Sequence, residues 1–412
     1  MAFPEEPPGG AGGVGIAGGA GGDGEAGPLS GVTVVDLTRV LAGPYCTMIL
    51  ADLGARVIKV ERPVSGDDAR QMGPFIDGRS AYFASINRGK SSIALDLSDD
   101  TDRQVFERLL AGADVLVENF RVGVLERMGY AWPSLHARWP RLILASVSGF
   151  GQTGPYADRP AYDMVAQAMG GIMSITGHPG GEPARVGSSI GDLAAALFCA
   201  VGVVSALYER SRTGVARNVD VSMLDCQVAL LENAIARYQA NGVIPGPLGG
   251  RHPSIAPFGV FSAGAGTRLV IAAGNDSIFA RLCQALDLPF PDPRFATNDL
   301  RCQHTEALTS VLEAALGGRP AGEWLTVLEA AQVPCSPVND VAAVMADPQV
   351  AARHMVVSLA GGSLPGLKVA GNPVKLGGVA DPLERPGAPA LDGDRAAILA
   401  RLAPPVPPVR ES

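Results

Sequence analysis

An aspartate at the start of a long apolar run has neighbours that suit carboxylate chemistry. Asp192 follows Gly191 in the run Ser189-Ile190-Gly191-Asp192-Leu193, and an uncharged apolar run extends from Leu193 to Tyr208. An aspartate before an apolar helix is typical of an N-cap, whose side-chain oxygen accepts backbone N–H groups. A helix N-terminus also stabilises negative charge, which favours an ionised carboxylate even where it is partly buried. Because Gly191 leaves room for a bulky electrophile, Asp192 is a candidate covalent nucleophile as well as a candidate N-cap.

Other reaction types lack their residue patterns. The turn after the first predicted strand runs from Thr38 to Pro44 without the glycines that a dinucleotide pyrophosphate needs, although Glu61 stands where a ribose-binding acid is expected. No P-loop, serine-hydrolase elbow or zinc-protease motif occurs in the sequence. The cysteines and histidines are scattered without metal-ligand spacing. We therefore expect no metal, and a single catalytic cysteine stays open.

The elements that must position Asp192 are predicted to form an α/β sheet with helices on both faces. Apolar runs predict buried strands near residues 32–36, 56–61, 91–96, 113–118 and 141–147, with helices between them. Strands that alternate with helices are typical of a Rossmann-like sheet. The Gly-, Pro- and Ser-rich segment 151–191 favours a long functional loop that leads to Asp192.

Composition divides the chain into four parts. Residues 1–29 contain no Lys or Arg and many Gly, Ala and Pro, which is typical of a disordered tail. A Pro- and Gly-rich stretch at 243–257 lies near the start of a second set of strands and helices. We predict a large α/β domain over 30–225, a smaller α/β domain over 226–330, and a C-terminal part, 331–412, that returns to the large domain.

Charge and hydrophobicity limit the partners. Of the 412 residues, 47% are hydrophobic and 18% are charged, which suffices for a large buried core. A net charge of -8 without a basic stripe argues against nucleic acid. The apolar run from Leu193 to Tyr208 is shorter than the roughly 20 residues that span a bilayer, so we predict a buried helix and no membrane partner. Scattered cysteines without a signal peptide predict reduced thiols and a cytoplasmic location.

Several ordered motifs resemble family III CoA-transferases, the group that includes formyl-CoA transferase and carnitine CoA-transferase. The resemblance extends over roughly residues 30–380. The matching runs are Asp36 to Pro44, Asp52 to Arg62, Asn87 to Asp96, Asp114 to Phe120, Leu144 to Gly151, Pro160 to Asp163, and Gly191-Asp192. In that family the aspartate after the glycine is the nucleophile, so the resemblance implies this role for Asp192.

The resemblance also implies which residues contact coenzyme A, a co-substrate rather than a permanently bound cofactor. Arg62 matches an arginine at the adenosine end, where a guanidinium suits a phosphate. The segment Leu95 to Ser98 matches further lining positions. The complete implied set is Leu41, Ala42, Arg62, Leu95, Asp96, Asn119, Phe120, Arg121 and Arg127, with Tyr162 and Asp163 framing the thioester.

The reaction that the resemblance implies is a ping-pong transfer of coenzyme A from an acyl-CoA to a carboxylic acid. It passes through an aspartyl anhydride and an aspartyl-CoA thioester. An α-methylacyl-CoA racemase is the alternative within the superfamily, but Tyr162 stands where that enzyme has a histidine, and tyrosine is a poor base at neutral pH. A CoA-binding protein without catalysis is a further alternative, and the presence of Asp192 argues against it.

The substrate is expected to be a dicarboxylate, with succinyl-CoA as a typical donor. The glycine-run loop of formyl-CoA transferase is missing, and the run Gly250 to Gly259 resembles transferases for acids such as succinate, glutarate or mesaconate. Arg251 or His252 would bind the distal carboxylate, although a Pro-rich turn ordered for packing explains the same run. The resemblance further implies an interlocked homodimer with the active site near the subunit interface.

Overall fold

The computed structural model describes residues 27–289 and 292–402. Most of the tail predicted over residues 1–29 therefore lies outside the described residues. The strands are β1 Thr33–Asp36, β2 Arg56–Glu61, β3 Phe75–Ile76, β4 Arg79–Ser80, β5 Lys90–Ala94, β6 Val115–Glu118, β7 Ile143–Ser148, β8 Asn218–Ser222, β9 Phe258–Ser262, β10 Arg268–Ala272, β11 Cys335–Pro337, β12 Val356–Ala360, β13 Lys368–Ala370 and β14 Glu384–Pro386.

Helices connect most of these strands. They are α1 Ala42–Asp52, α2 Ala81–Ile86, α3 Asp100–Ala111, α4 Val124–Arg127, α5 Trp132–Arg138, α6 Asp163–Met169, α7 Ile190–Thr213, α8 Met223–Leu230, α9 Glu232–Asn241, α10 Asp276–Ala285, α11 Asn298–Gln303, α12 Thr305–Leu316, α13 Ala321–Ala330, α14 Val341–Ala346, α15 Pro348–Ala352 and α16 Arg395–Ala400. Short 3-10 helices lie at Asp68–Gln71, Ile172–Ile175 and Pro293–Phe295.

The main sheet has six strands in the order β5-β2-β1-β6-β7-β8. Every neighbouring pair in it is parallel. Parallel strands need crossover connections, and the helices that supply them cover both faces. The predicted α/β fold with a parallel sheet is therefore confirmed.

Each face of this sheet has its own hydrophobic core, because side chains alternate along each strand. Val34 on β1 points into the core that contains α1 and α7, and Val35 points into the core that contains α3, α5 and α16. The last helix also closes an edge of the sheet, since Ser92 N–H on β5 donates to Asp394 Oδ2 at 2.9 Å.

Two smaller sheets complete the described chain. The antiparallel sheet β11-β10-β9 packs with α10, α12 and α13 around a separate hydrophobic cluster within residues 256–333. The sheet β13-β12-β14 packs on residues 69–84. The domain boundaries at residues 225 and 330 stay a prediction.

Helix α7 carries the predicted nucleophile and has two apolar faces. It has 24 residues and is long and apolar enough to cross a membrane by length and composition alone. Its small side chains, such as Ala195, Ala196 and Cys199, pack on the main sheet. The other face exposes Leu197 and Val201. The predicted buried helix is therefore buried on one face.

Candidate active site

The strand order marks where a ligand should bind. From β1, the chain places β2 and β5 on one side and β6, β7 and β8 on the other. In open parallel sheets, ligands bind at the carboxyl ends of the strands where the order reverses. The loops that begin after β1 at Leu37 and after β6 at Asn119 border this point. The predicted site residues should therefore lie between these two loops.

A cavity of about 220 Å³ at this point contains Asp192. Of the residues implied to contact coenzyme A, it is lined by Leu41, Ala42, Asn119, Phe120, Arg121 and Tyr162. Arg39 and Arg159 line it as well, and Asp68 is the other acidic lining residue. Three guanidinium groups thus face two carboxylates, which makes the cavity suited to an anionic ligand.

A second cavity of about 440 Å³ continues from the first. Of the predicted contacts it is lined by Arg62, Leu95, Asp96, Phe120 and Arg127. Arg39 and Phe120 line both cavities, and the Arg39 guanidinium lies 5.4 Å from the centre of the Phe120 ring. An extended ligand with one end at Asp192 therefore has space to reach Arg62. Arg62 forms an ion pair with Asp68.

The turn after β1 is held in place by two side chains. Asn119 Oδ1 accepts the Arg39 N–H at 2.8 Å, and Asn119 Nδ2 donates to the Arg39 carbonyl at 2.8 Å. Val40 has a φ of 69°, a left-handed conformation that a β-branched residue rarely adopts. Its N–H donates to Asp67 Oδ1 at 3.0 Å. Asn119 therefore braces the turn in addition to lining the cavity.

A buried group of charges lies beneath this turn. Lys59 is fully buried, and its Nζ lies 2.8 Å from Asp67 Oδ2 and donates to the Thr38 carbonyl at 2.7 Å. Burial alone would lower the pKa of Lys59, but Asp36 and Asp67 outweigh it and raise that pKa. Lys90 Nζ lies 3.0 Å from Asp36 Oδ2. Two lysines and two aspartates thus balance one another where water is excluded.

The predicted pair Tyr162 and Asp163 divides between two environments. The Tyr162 side chain is exposed beside the Asp192 cavity. Asp163 is buried and does not line that cavity; its Oδ1 accepts the Gly191 N–H at 2.8 Å. A Cβ atom at Gly191 would lie 3.0 Å from Asp163 Oδ1, so a glycine suits this close approach. The structure therefore brings Asp163 to the backbone before Asp192.

Asp192 is the third residue of α7, because the helix begins at Ile190 and Ser189 is its N-cap. The N-cap interpretation of Asp192 is therefore wrong. Burial raises the pKa of Asp192 to about 7, and the nearby charge of Asp163 adds to the rise. The helix N-terminus alone was expected to keep this carboxylate ionised, and burial outweighs that effect.

Tyr82 on α2 interacts electrostatically with Asp192, and sequence reasoning did not single it out. Burial and the negative charges of Asp192, Asp67 and Asp163 raise the pKa of Tyr82 to about 12. The phenol therefore keeps its proton at neutral pH, and it does not line the Asp192 cavity. Tyr82 belongs to no catalytic sequence motif. The short helix that carries it shows no clear hydrophobic periodicity.

The predicted substrate residues Arg251 and His252 line a different cavity, of about 650 Å³, which does not contain Asp192. His252 Nδ1 accepts the Ser254 N–H at 3.1 Å, so a neutral His252 ring carries its proton on Nε2. The ring stacks on Phe258 with the ring centres 5.2 Å apart. Within a single chain, the structure does not bring these two residues to Asp192.

The acidic and potential metal-binding side chains of the site are few. Among residues 27–289 and 292–402, no cluster of three or more His, Cys, Asp or Glu side chains could hold a metal ion. The arrangement offers a carboxylate at the end of an anion-binding cleft, which can act as a nucleophile toward an activated carbonyl group.

Known proteins are similar to this chain over most of its length. Residues 29–395 match the model of a family described as CoA-transferase family III. The chain is 48% identical over 382 residues to an acetyl-CoA:oxalate CoA-transferase of Acetobacter aceti, which covers 92% of this chain and 97% of that protein. It is 39% identical over 387 residues to a succinate–glutarate CoA-transferase of Agrobacterium fabrum, which covers 91% of this chain and 96% of that protein.

The fold is also similar to that of a solved structure. A CAIB/BAIF family protein from Brucella suis superposes with a TM-score of 0.81 at 40% sequence identity. The superposition covers 92% of this chain and 100% of that one.

Proposed function

This chain belongs to CoA-transferase family III and is a CoA-transferase, and we propose that it acts on a dicarboxylic acid through a covalent intermediate on Asp192. One observation carries the mechanism. Asp192 lies in the cavity at the point where the strand order of the main sheet reverses. Six residues that are expected to contact coenzyme A line the same cavity. Its two relatives named above are transferases for oxalate and for succinate and glutarate, which supports a dicarboxylate as acceptor.

The two adjoining cavities would hold coenzyme A as a co-substrate. Arg62 and Arg127 supply guanidinium groups for phosphates in the larger cavity. The thiol-bearing arm of coenzyme A would pass Phe120 and place the thioester carbonyl beside Asp192. A phosphate near Arg62 would replace Asp68 as its partner. No permanently bound cofactor is part of the proposal.

The reaction consists of four acyl transfers without net proton change. The Asp192 carboxylate attacks the donor thioester, which forms a mixed anhydride and expels CoA thiolate. The thiolate attacks the aspartyl carbonyl, which gives an aspartyl-CoA thioester and releases the donor acid. The acceptor carboxylate attacks this thioester, and the expelled thiolate attacks the acceptor carbonyl of the new anhydride. The product acyl-CoA leaves, and Asp192 is free again.

The surrounding side chains assist these steps without taking part in them. Tyr82 keeps its proton and therefore adds no negative charge to the electrostatic field at Asp192. The Gly191 N–H is already bound to Asp163 and is therefore not available to an oxyanion. Tyr162 lies exposed beside the thioester position and can cover it.

A homodimer belongs to the same proposal. α7 exposes Leu197, Phe198, Val201, Val204 and Tyr208 along one face. A continuous apolar face of this kind is typical of a surface that another chain covers. The resemblance implies that a second copy covers it, which would also allow Arg251 of one copy to approach Asp192 of the other. Sedimentation equilibrium at micromolar concentration tests this part, and a monomer would count against it. A cytoplasmic location remains part of the proposal, supported by the six free cysteines.

The substrate residues predict a selective effect on the acceptor. In the variant Arg251→Met, we expect the KM for a dicarboxylate acceptor to rise by about 10- to 100-fold, the size of a lost charge-assisted pair. With acetyl-CoA as the donor, which has no distal carboxylate, the donor KM should change less than about twofold, because Arg251 lies outside the two CoA cavities. Steady-state kinetics with each substrate varied in turn measures both constants.

Hydrogen bonds at Ala256 anchor the segment that follows Arg251. Asn298 Oδ1 accepts the Ala256 N–H at 3.2 Å, and the buried Arg301 donates to the Ala256 carbonyl at 2.6 Å. An Arg281→Met variant provides the control, since Arg281 donates to the Ala331 carbonyl at 3.1 Å away from all three cavities. Equal KM values for monocarboxylates and dicarboxylates in the unsubstituted enzyme would contradict the assignment of Arg251.

The ionisation of Asp192 predicts a pH dependence. Only the carboxylate form can attack, and the pKa of Asp192 is raised to about 7. We expect kcat/KM for the donor to rise with pH, to reach half its maximum near that value, and to fall by about tenfold per pH unit well below it. The profile should be measured at constant ionic strength between pH 5.5 and 8.5. A flat profile across this range would mean that Asp192 is ionised throughout, or that another step limits the rate.

The deciding experiment combines exchange and trapping. The protein is incubated with succinyl-CoA and a panel of carboxylic acids, and new acyl-CoA species and protein adducts are read by mass spectrometry. We expect transfer to a dicarboxylate and a hydroxylamine-trapped modification at Asp192. Deuterium exchange at the α-carbon of a branched acyl-CoA, without any transfer, would favour the racemase instead.

A further inference from the structure

We propose that two buried glutamines, Gln167 and Gln227, are positioning residues that hold the backbone before Asp192 in the conformation required for attack. This inference rests on the proposed role of Asp192 as the nucleophile. It concerns residues that contact neither coenzyme A nor the reacting atoms.

The first glutamine connects both ends of the segment that leads to Asp192. Gln167 on α6 is fully buried. Its Nε2 donates to Asp163 Oδ2 at 2.8 Å, and its Oε1 accepts the Val186 N–H at 2.9 Å. The other oxygen of Asp163 accepts the Gly191 N–H at 2.8 Å. One side-chain pair therefore binds the backbone at Val186 and at Gly191.

The second glutamine acts from α8 on the carbonyl side of the same peptide group, the one that joins Ile190 to Gly191. Gln227 is fully buried, and its Nε2 donates to the Ile190 carbonyl at 3.3 Å. It packs against Gly170 so closely that a Cβ atom at Gly170 would lie 2.2 Å from Gln227 Cβ. The two glutamines together fix Ile190 and Gly191, the two residues that precede Asp192.

This arrangement matters because the position of the Asp192 side chain depends on its backbone. Among the described residues, no hydrogen bond or ion pair holds the Asp192 carboxylate. Residues 178–189 before it have no regular secondary structure and are largely exposed. The direction of the carboxylate therefore depends on where the first turn of α7 begins.

Loss of the Gln167 amide would free the backbone at the start of α7 to move. Asp163 Oδ2 would keep Arg185, whose guanidinium lies 3.5 Å away and is partly exposed. A carboxylate that turns toward Arg185 and water no longer holds the Gly191 N–H in place. A shift of about 1 Å in a nucleophile can lower a rate by about 100-fold.

The variant Gln167→Met keeps the size of the side chain and removes both hydrogen bonds. We expect kcat and the rate of adduct formation on Asp192 to fall together by about 10- to 100-fold. The KM for the donor acyl-CoA should stay within about twofold, because neither CoA cavity contains Gln167. Stopped mixing with succinyl-CoA, followed by hydroxylamine trapping, gives the adduct rate in the full-length protein.

Two further variants separate positioning from simple loss of stability. Gln167→Glu replaces the donor with an acid beside Asp163, so the midpoint of the pH profile should move to higher pH. Gln227→Met removes the longer contact and should lower the adduct rate by about 3- to 10-fold. The control is Gln284→Met, the same change at an exposed position on α10, and its rates should equal those of the unsubstituted enzyme.

The outcomes separate this inference from the proposed function. Absence of any adduct on Asp192 in the unsubstituted enzyme would count against the proposed function and remove the basis of the inference. Normal adduct formation there, with equal rates in folded Gln167→Met and Gln227→Met proteins, would overturn the inference alone. If Gln167→Met does not fold, the rate and pH profile of Gln227→Met and Gln167→Glu decide it.

Discussion

Replacing Asp192 with alanine is expected to lower the rate of CoA transfer by at least about 1,000-fold, because the covalent route loses its nucleophile. No other carboxylate in the described structure is placed to take over. Both oxygens of Asp163 are bound, to the Gly191 N–H and to Gln167. Asp68 pairs with Arg39 and Arg62. Acyl exchange between succinyl-CoA and the acceptor, together with adduct trapping, measures the loss.

The variant Asp192→Asn is the matched control for shape. It should be as inactive as the alanine variant and should bind free coenzyme A with unchanged Kd, since most predicted contacts remain. The pKa of Asp192 is raised from 3.8 to about 7 in the folded chain, so the folded state binds more protons than the unfolded state between these values. Stability conferred by the neutral acid is therefore lost as the pH rises through this window.

Asparagine avoids this cost, so the variant should unfold at a higher temperature than the unsubstituted enzyme at pH 8, by an amount that vanishes near pH 4. Near pH 8 the gain corresponds to about 1 to 2 kcal/mol once partial exposure of the carboxylate is allowed for. Folded Asp192→Ala protein that retains exchange within tenfold of the normal rate would rule out the covalent route through this residue.

The fold was predictable where the hydrophobic pattern was strong. The runs at Thr33–Asp36 and Arg56–Glu61 are short, apolar and flanked by helix signals, and both are strands of the main sheet. The two-residue strands β3 and β4 and the helix α2 were not predicted, because such short elements have little periodicity. Since α2 carries Tyr82, this omission also concealed a residue whose pKa the charge of Asp192 affects.

The contents of the candidate site followed from the motifs, but the direction of individual side chains did not. The resemblance placed Leu41, Phe120 and Tyr162 together, and they share the cavity with Asp192. The resemblance placed Asp163 beside the thioester, whereas its carboxylate accepts a hydrogen bond from the Gly191 backbone. A motif specifies which residues are neighbours, and the packing of α6 against α7 decides which of their atoms meet.

Long-range hydrogen bonds were the least predictable part. Asn119 and Arg39 are separated by 80 residues in sequence. The Asn119 side chain nevertheless forms two hydrogen bonds with the Arg39 backbone where the strand order reverses. Nothing in either local pattern indicates this contact. Arg251 and His252 show the opposite case, because their chemistry suits a carboxylate and a single chain keeps them in a cavity apart from Asp192.

The second large effect is expected at Lys59, which never touches the cavity. In the variant Lys59→Met, the free energy of unfolding should fall by about 3 to 5 kcal/mol, because a buried carboxylate loses its partner. Lys59 and Asp67 are both fully buried and 2.8 Å apart. Asp36 also loses the attraction of Lys59 but keeps Lys90 and its hydrogen bonds from Thr38 and Thr47, whereas Asp67 loses its ion-pair partner. Urea unfolding at pH 7.5 measures it.

The same change should weaken binding of the acyl-CoA. Asp67 Oδ1 accepts the Val40 N–H at 3.0 Å, and Lys59 donates to the Thr38 carbonyl at 2.7 Å. Without Lys59, the strained turn at Val40 loses one contact and gains an unpaired charge beside it. We expect the KM for the donor to rise by about tenfold while kcat changes less, because the turn borders the ligand rather than the nucleophile.

A second substitution tests whether the unpaired charge is the cause. In Lys59→Met with Asp67→Asn, the new amide oxygen can still accept the N–H groups of Val40 and Ala69, and no buried charge is left without a partner. The double variant should therefore recover at least half of the lost stability and most of the affinity. Lys368→Met removes an exposed lysine on β13 and should stay within about 0.5 kcal/mol of the unsubstituted protein. If Asp67→Asn deepens the loss instead, the lysine acts through its bond to Thr38, and the turn depends on that hydrogen bond more than on charge balance.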